Sequence, residues 1–477
     1  MNNKETHILP ATGKLGILVV GCGAVATTLM TGVLMVRKGL ARPIGSMTQM
    51  DKIRVGSGKE ARYLKYADIV PMASLDDIVF GAWDVYPQNA YQAAMYAQVL
   101  DEKDIAPVRQ ELEQIVPMTA AFDRNYVKRI DGDNIKVLQA PQAPLSSPEG
   151  DTIAKVPANN TIEAPSGAVG GAVTVGAEPT RWQMVEMLRD DIRRFRREHG
   201  CSRIVVLWAA STEIYVPVDE QVHYRLEDLE AAMQADDRRR VAPSMCYAYA
   251  ALREGCPFIM GAPNTTVDIP AMWQLAAACG VPISGKDFKT GQTLVKSGFA
   301  PIISTRCLAL DGWFSTNILG NRDGLVLDEP QNFHTKEVSK LSTLETILDG
   351  SRQPELYGDY YHKVRINYYP PRNDNKESWD NIDLRGWLDY PMQVKINFLC
   401  RDSILAAPVA LDLCLLSDLA ARAGCSGTQR WLSFFLKSPM HDYTRGEQPV
   451  NHLYQQYTML KNKLRELGGY EADEAMD

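Results

Sequence analysis

The chain has 477 residues, 45% of them hydrophobic and 23% charged, and a formal net charge of −7. These proportions fit an ordinary globular protein of about two or three domains. The acidic balance argues against a broadly basic nucleic-acid surface, so no nucleic-acid partner is expected, and the local cluster RDDIRRFRREHG (189–200), whose arginines alternate with acids at helical spacing, reads as a solvated helix face.

The first element of note is LGILVVGCGAVATTLMTGVLMV (15–36), which carries no charge and is bounded by Lys14 and Arg37-Lys38. A run of about 20 apolar residues is long enough to cross a bilayer, and LVVGC also resembles a lipoprotein cleavage site. The same letters read as a strand (LGILVV), a glycine turn at Gly21-Cys22-Gly23 and a helix. No second apolar span of membrane length is expected. Nine cysteines without a CxxC pair, several inside apolar runs, fit buried thiols in a reducing compartment better than an exported, disulfide-bonded protein. The strand–turn–helix reading is therefore preferred, with no membrane insertion and a cytoplasmic location. The glycine turn alone is weak, because Ala26 stands where the third glycine of GxGxxG belongs.

The Pro, Gly, Ala and Ser-rich stretch 139–178 reads as a loop or surface excursion. After it come the long helix 180–200, the strand IVVLWAAST (204–212), the helix SMCYAYAALREG and the strand CPFIMGAPNTT (256–266). Such alternation implies a parallel sheet with covering helices. GKDFKTGQTLVKS (285–297) follows the strand-like VPIS, and its small residues let Thr290, Gly291 and Gln292 converge backbone N–H groups on a phosphate, or form a solvated turn. NILGNRDG (317–324) offers Asn317, Asn321 and Asp323; FHTKEVSK (333–340) sets Lys336 and Lys340 four residues apart, on one face if helical. From KVRINYYPP to KINFLCRD the pattern turns to strands with Pro and Asn turns, and from Ser403 it resumes helix, so a β-rich unit is inserted into an α/β domain. The seven histidines show no zinc-ligand spacing, so no metal site is expected.

Nine stretches, GSMTQ (45–49), VFGAWD (79–84), VLWAASTE (206–213), KDFKTGQT (286–293), NILGNRDG, TKEVSKLS (335–342), NDNKESWD (373–380), CRDSILAAPVALDL (400–413) and LSFFLKSP (432–439), together resemble the myo-inositol-1-phosphate synthase family in family order. The resemblance implies a Rossmann-type NAD domain over 1–293, completed by helices in 406–477, and a β-rich α+β catalytic and tetramerisation domain over 294–405. It also implies NAD as cofactor, glucose 6-phosphate as substrate and a homotetramer. Carried over by position, it places catalytic roles on Asp287, Lys289, Asp323, Lys336, Lys340, Lys376, Asp402 and Lys437. Cofactor contacts fall on Gly21, Gly23, Ala24, Val25, Asp84, Ser211, Thr212 and Asp287, with Asp84 on the ribose; Thr290, Gly291, Gln292, Asn317 and Asn321 fall to the substrate. The implied reaction is redox-neutral: C5 of the opened sugar is oxidised, C6 loses a proton and closes onto C1, and the C5 ketone is reduced again. Lys336 is expected to move the proton at the C5 oxygen, with Lys340, Lys376 and Lys437 holding phosphate or the C1 oxygen. The chain departs from the family in its turn, GCGAVAT for GxGGNNG, in Lys286-Asp287 for a pair of aspartates, and in Leu294 for a lysine. A non-catalytic NAD or sugar-phosphate binder and a net-redox dehydrogenase remain the alternatives.

Overall fold

The computed structural model describes residues 8–56, 58–138, 161–162, 173–174 and 176–473. Most of the stretch read as a loop, 139–178, lies outside the described residues. The uncharged run at 15–36 folds as two elements. Strand β1 (Lys14–Val20) ends at Gly21, whose φ of +92° turns the chain, and helix α1 (Ala24–Arg37) follows. Beyond Lys14 every residue of β1 is buried, which explains its lack of charge: a central parallel strand is covered on both faces. Its residues alternate between two cores. Leu18 and Val20 pack with Trp83, Val206 and Phe258; Ile17 and Val19 pack with Phe80, Val205 and Leu207, the period of two that a strand imposes.

The chain continues through β2 (Ile78–Asp84), α2 (Ala90–Ala97), β3 (Met118–Thr119), α3 (Arg181–His199), β4 (Cys201–Trp208), β5 (Phe258–Met260), β6 (Pro282–Gly285) and α4 (Gly291–Thr305). Helix α3 starts at Thr180, whose hydroxyl accepts the Gln183 N–H at 3.3 Å, and stops at Gly200 with φ +64°. Its Arg189 and Arg193 both pair with Glu254, at 2.8 and 2.7 Å, so the basic cluster is an ion-paired helix face. Next come β7 (Ala309–Leu319), α5 (Arg322–Leu327), α6 (Pro330–Glu345), β8 (Tyr361–Tyr368), β9 (Asn375–Arg385), β10 (Pro391–Arg401), α7 (Asp402–Arg422), β11 (Gly427–Thr428) and α8 (Leu453–Leu467).

The larger sheet runs β3–β2–β1–β4–β5–β6–β11 with every pairing parallel. Strand order reverses between β1 and β4, the switch point of a doubly wound α/β fold. Helices α7 and α8 return to this sheet, where Leu413, Leu416 and Leu464 share a core with Ile17 and Val205. Helix α7 corrects one expectation: by length and composition it too could cross a membrane, but 72% of its apolar window is buried inside the protein. The second sheet runs β8–β7–β9–β10, with β7 and β8 parallel and the other pairs antiparallel. On β9 Lys376, Ser378, Asp380, Ile382 and Leu384 turn inward. The outer face keeps Trp379 at 48% and Leu399 of β10 at 60% exposure.

Candidate active site

A cleft of about 930 Å³ opens where the strand order reverses. Ligands of doubly wound sheets bind at that point because the loops leaving adjacent strands diverge there. One end of the cleft is walled by Gly21, Gly23, Ala24, Val25, Asp84, Ser211 and Thr212, the other by Asp287, Thr290, Asn321, Asp323, Lys336, Asp402 and Lys437.

At the first end the backbone does the binding. A Cβ on Gly21 would lie 2.7 Å from the Ala210 Cα, so only glycine lets the turn approach the β4 loop, whereas a Cβ on Gly23 would meet nothing within 4 Å. The first turn of α1 carries no acid and no capping side chain. Its N–H groups and positive dipole end are therefore available to an anion such as a pyrophosphate. Asp84, at the end of β2, accepts the Cys22 N–H at 2.5 Å on one oxygen and the Tyr86 N–H at 2.9 Å on the other. Burial pushes its carboxyl up, with those two N–H groups and Arg322 opposing. A carboxylate has about four acceptor directions, so Asp84 retains capacity for ribose hydroxyls. These residues fit a dinucleotide: GCGAVAT carries no asparagine side chain but keeps the main-chain donors of a glycine turn.

At the second end a buried charge cluster is built on Asp287. Its Oδ1 accepts from Lys336 at 2.9 Å and from Lys437 at 3.2 Å, while its buried Oδ2 has no partner among the described residues. Burial alone would raise the Asp287 carboxyl, but the two ammonium groups outweigh it and hold it below the ordinary range. A parallel pair lies alongside: Lys376 Nζ donates to Asp402 Oδ1 at 3.1 Å, and the Thr290 hydroxyl donates to the same oxygen at 3.1 Å. Burial opposes ionisation of Asp402, but Lys376 and Lys437 hold its carboxyl well down. The lysines then separate. Burial works against the charge on Lys336, yet Asp287, Asp323 and Asp402 raise its pKa above the ordinary lysine value. Lys376 is likewise raised by Asp402 against the cost of burial. For Lys437 burial, with Lys336 and Lys376 nearby, overcomes Asp287 and brings the amine down to about 8. One cluster thus holds firmly cationic lysines beside an amine that is partly neutral near physiological pH.

Of the other sequence-predicted residues, Asn321 lines the cleft, whereas Lys289, Gly291, Gln292, Asn317 and Lys376 do not. Gly291 opens α4, and a Cβ there would come 3.8 Å from Lys376 Nζ. Asn317 donates to Gln292 at 2.7 Å; both are buried, and the Asn317 Oδ1 has no partner among the described residues. Asn321 caps α5 through Gly324 N–H at 3.0 Å and donates to Asp374 at 2.8 Å. Lys289 is placed differently from the cluster: its amine donates to Gln456 of α8 and, at 3.4 Å, to the Ser433 carbonyl, and burial, with no carboxylate partner among the described residues, brings it down to about 7. Lys340 is on α6, but its side chain lies outside the described residues. Three further residues were not singled out from the sequence. Glu213 and Arg322 line the cleft. Asp374 accepts the Ser403 N–H and hydroxyl at 3.0 and 2.9 Å, which seats the start of α7. Glu213, pushed up to about 7 by burial, accepts from Ser244 and Asn264. Its signal was present, since Glu213 closes VLWAASTE and Asp374 lies in NDNKESWD.

A family model described as myo-inositol-1-phosphate synthase matches residues 15–465. The chain is 55% identical over 466 residues to inositol-3-phosphate synthase 1 of Bacteroides thetaiotaomicron, covering 98% of each protein. It is 31% identical over 488 residues to inositol-3-phosphate synthase 1 of Oryza sativa subsp. japonica, covering 97% of this chain and 87% of the relative. Among solved structures, inositol-3-phosphate synthase from Caenorhabditis elegans matches with a TM-score of 0.82 at 25% identity, covering 98% of this chain and 88% of that one.

Proposed function

The chain belongs to the myo-inositol-1-phosphate synthase family, and we propose that it converts D-glucose 6-phosphate to 1D-myo-inositol 3-phosphate by an NAD-dependent, redox-neutral cyclisation. The observation that carries this reading is the joining, in one cleft, of a dinucleotide seat at Gly21–Val25 and Asp84 with the lysine–aspartate cluster around Asp287. When bound, NAD supplies a hydride acceptor that serves as donor at the end of the cycle. Every other task falls to the chain.

The C5 hydroxyl of the opened sugar must lose its proton as hydride departs from C5 itself, and a positioned general base contributes about 10²- to 10⁴-fold to such a step. The expectation from sequence gave that proton to Lys336. The electrostatics favour Lys437, at about 8, while Lys336, held cationic by Asp287, is suited to stabilise the oxygen anion at C5. The ketone at C5 acidifies C6; the C6 carbanion closes onto the C1 aldehyde, whose oxygen takes a proton; and C5 regains hydride and proton. Carbon skeleton and redox state balance without net oxidant. Lys376, which with the Thr290 hydroxyl donates to Asp402 Oδ1, offers a fixed cation for the phosphate or the C1 oxygen. We assign the cofactor seat to 1–293 with 406–477 and assembly to 294–405, with the reacting cleft drawing Asp287 and Lys437 from the first and Lys336 and Asp402 from the second.

We also infer a homotetramer joined through the mixed sheet, since its outer face exposes Tyr361, Trp379 and Leu399 on strands whose free edges invite pairing. All nine cysteines are free, in keeping with a reducing, cytoplasmic setting. The function is tested by incubating pure protein with glucose 6-phosphate and substoichiometric NAD+ and identifying the product by NMR. Inositol phosphate in excess over NAD+ is expected. Product limited to the amount of NAD+, with matching NADH, would establish the dehydrogenase reading instead, and binding without conversion the non-catalytic one.

A further inference from the structure

Arg322, the first residue of α5, is held in an unusual way for a residue on a cleft wall. Its guanidinium carbon lies 4.0 Å from the ring centroid of Tyr86 and 4.2 Å from that of Tyr96, so the two rings take up its stacking contacts. Tyr86 follows β2 and Tyr96 lies on α2, so both come from the parallel-sheet side, while Arg322 arrives from the end of the mixed-sheet strand β7. Clamping by aromatic faces fixes a guanidinium without consuming its N–H donors, which lie in its plane. Among the described residues no protein acceptor takes an Arg322 N–H, and its charge acts on Asp84. A pre-ordered fork with unused donors, on a cleft wall shared with the Asp84 carboxylate, is suited to recognise an oxygen-rich ligand.

The position says which part of the ligand. Asp84 and the glycine turn mark the ADP half of a dinucleotide in a sheet of this order, whereas the next residue, Asp323, acts at the opposite end by raising Lys336. Resting on the reading of this cleft as the NAD site, we propose that Arg322, clamped by Tyr86 and Tyr96, is a cofactor-recognition residue that hydrogen-bonds the oxygen-rich ADP half of NAD. It replaces, with a side chain from the other sheet, polar contacts that the GCGAVAT turn lacks. Because Arg322 and Asp323 are consecutive on one helical turn, seating the ADP half also fixes the turn that sets the charge of Lys336.

The test is calorimetric titration of the full-length protein with ADP and, separately, with nicotinamide mononucleotide. Charge-assisted bidentate contacts imply that Arg322→Ala weakens ADP binding by about ten-fold or more and leaves nicotinamide mononucleotide binding unchanged. Arg322→Lys, which keeps the charge without the planar fork, should recover only part of the ADP affinity, and Tyr96→Phe, which keeps the ring, all of it. The proposal is overturned if Arg322→Ala binds ADP as wild type does. It is equally overturned if the variant loses both ligands together with a lowered nucleotide-free melting temperature, because the side chain then serves the fold. Wild-type protein that binds neither ligand would instead remove the NAD reading itself, and this assignment with it.

Discussion

Lys437 and Lys336 share one oxygen of Asp287, so substitution by arginine separates their roles. Arginine stays protonated at any working pH. Lys336→Arg keeps the cation that its environment already enforces, whereas Lys437→Arg removes an amine that can exist as free base. The size of the effect follows from the shift. At about pH 7.5, an amine lowered to about 8 is roughly one-quarter neutral, whereas a lysine at its ordinary value of about 10.4 is neutral in about one part in a thousand. The ratio, about 200-fold, falls within the 10²- to 10⁴-fold contribution of a general base. Lys437→Arg and Lys437→Ala should therefore both lose at least about 100-fold in kcat, and the residual rate should lack the rise through the region of pH 8 that is expected of the wild type. Lys336→Arg should retain both a measurable rate and that rise. The assay is steady-state inositol phosphate formation from about pH 6 to 10 at saturating NAD+. Turnover by Lys437→Arg within ten-fold of wild type, with the pH profile unchanged, would refute the assignment and return the proton to Lys336 or another group.

Asp287→Asn leaves the buried ammonium groups of Lys336 and Lys437 without their shared counter-charge, at a cost of about 3–5 kcal/mol near neutral pH. With the folded-state lysine pKa values then depressed below the unfolded ones, protonation favours the unfolded chain and the loss should shrink as pH rises toward 10; thermal unfolding showing no loss, or one that grows with pH, contradicts this. Gly21→Ala forces a side chain into a φ of +92° and to 2.7 Å from Ala210, so stability should fall by about 1–3 kcal/mol and NAD+ affinity with it, and wild-type binding by calorimetry would show that the turn is not the seat. Wild-type protein should scatter light as a tetramer at micromolar concentration and Trp379→Glu as a smaller species; a monomeric wild type removes the tetramer, and an unchanged Trp379→Glu moves the interface elsewhere.

The part of this protein that was legible in sequence is the part that local physics controls. An uncharged β-rich run, a glycine turn and a helix announce themselves because a central parallel strand tolerates no charge and a φ of +92° demands glycine at position 21. Strand-like runs broken by Pro and Asn turns likewise marked the segment that forms β8, β9 and β10. Family motifs named Asp84, Ser211 and Thr212 at one end of the cleft and Asp287, Asp323, Lys336, Asp402 and Lys437 at the other, without saying how they meet. Lys336 and Lys437 reach the same carboxylate oxygen from 49 and 150 residues away, and no spacing rule spans such separations. Their divergence, one amine raised and the other at about 8, follows from which carboxylates each faces once both are dry. Lys289 reads as one more member of the set until α8 places Gln456 against its amine. Helix α7 has the composition of a membrane span, and only the sheet and helices packed around it make it a core helix. Sequence alone thus determined the elements, the turn and the chemical inventory, because these depend on near neighbours. Tertiary structure decided the pairing, the burial and therefore the proton affinities, because a charge's free energy depends on everything that surrounds it.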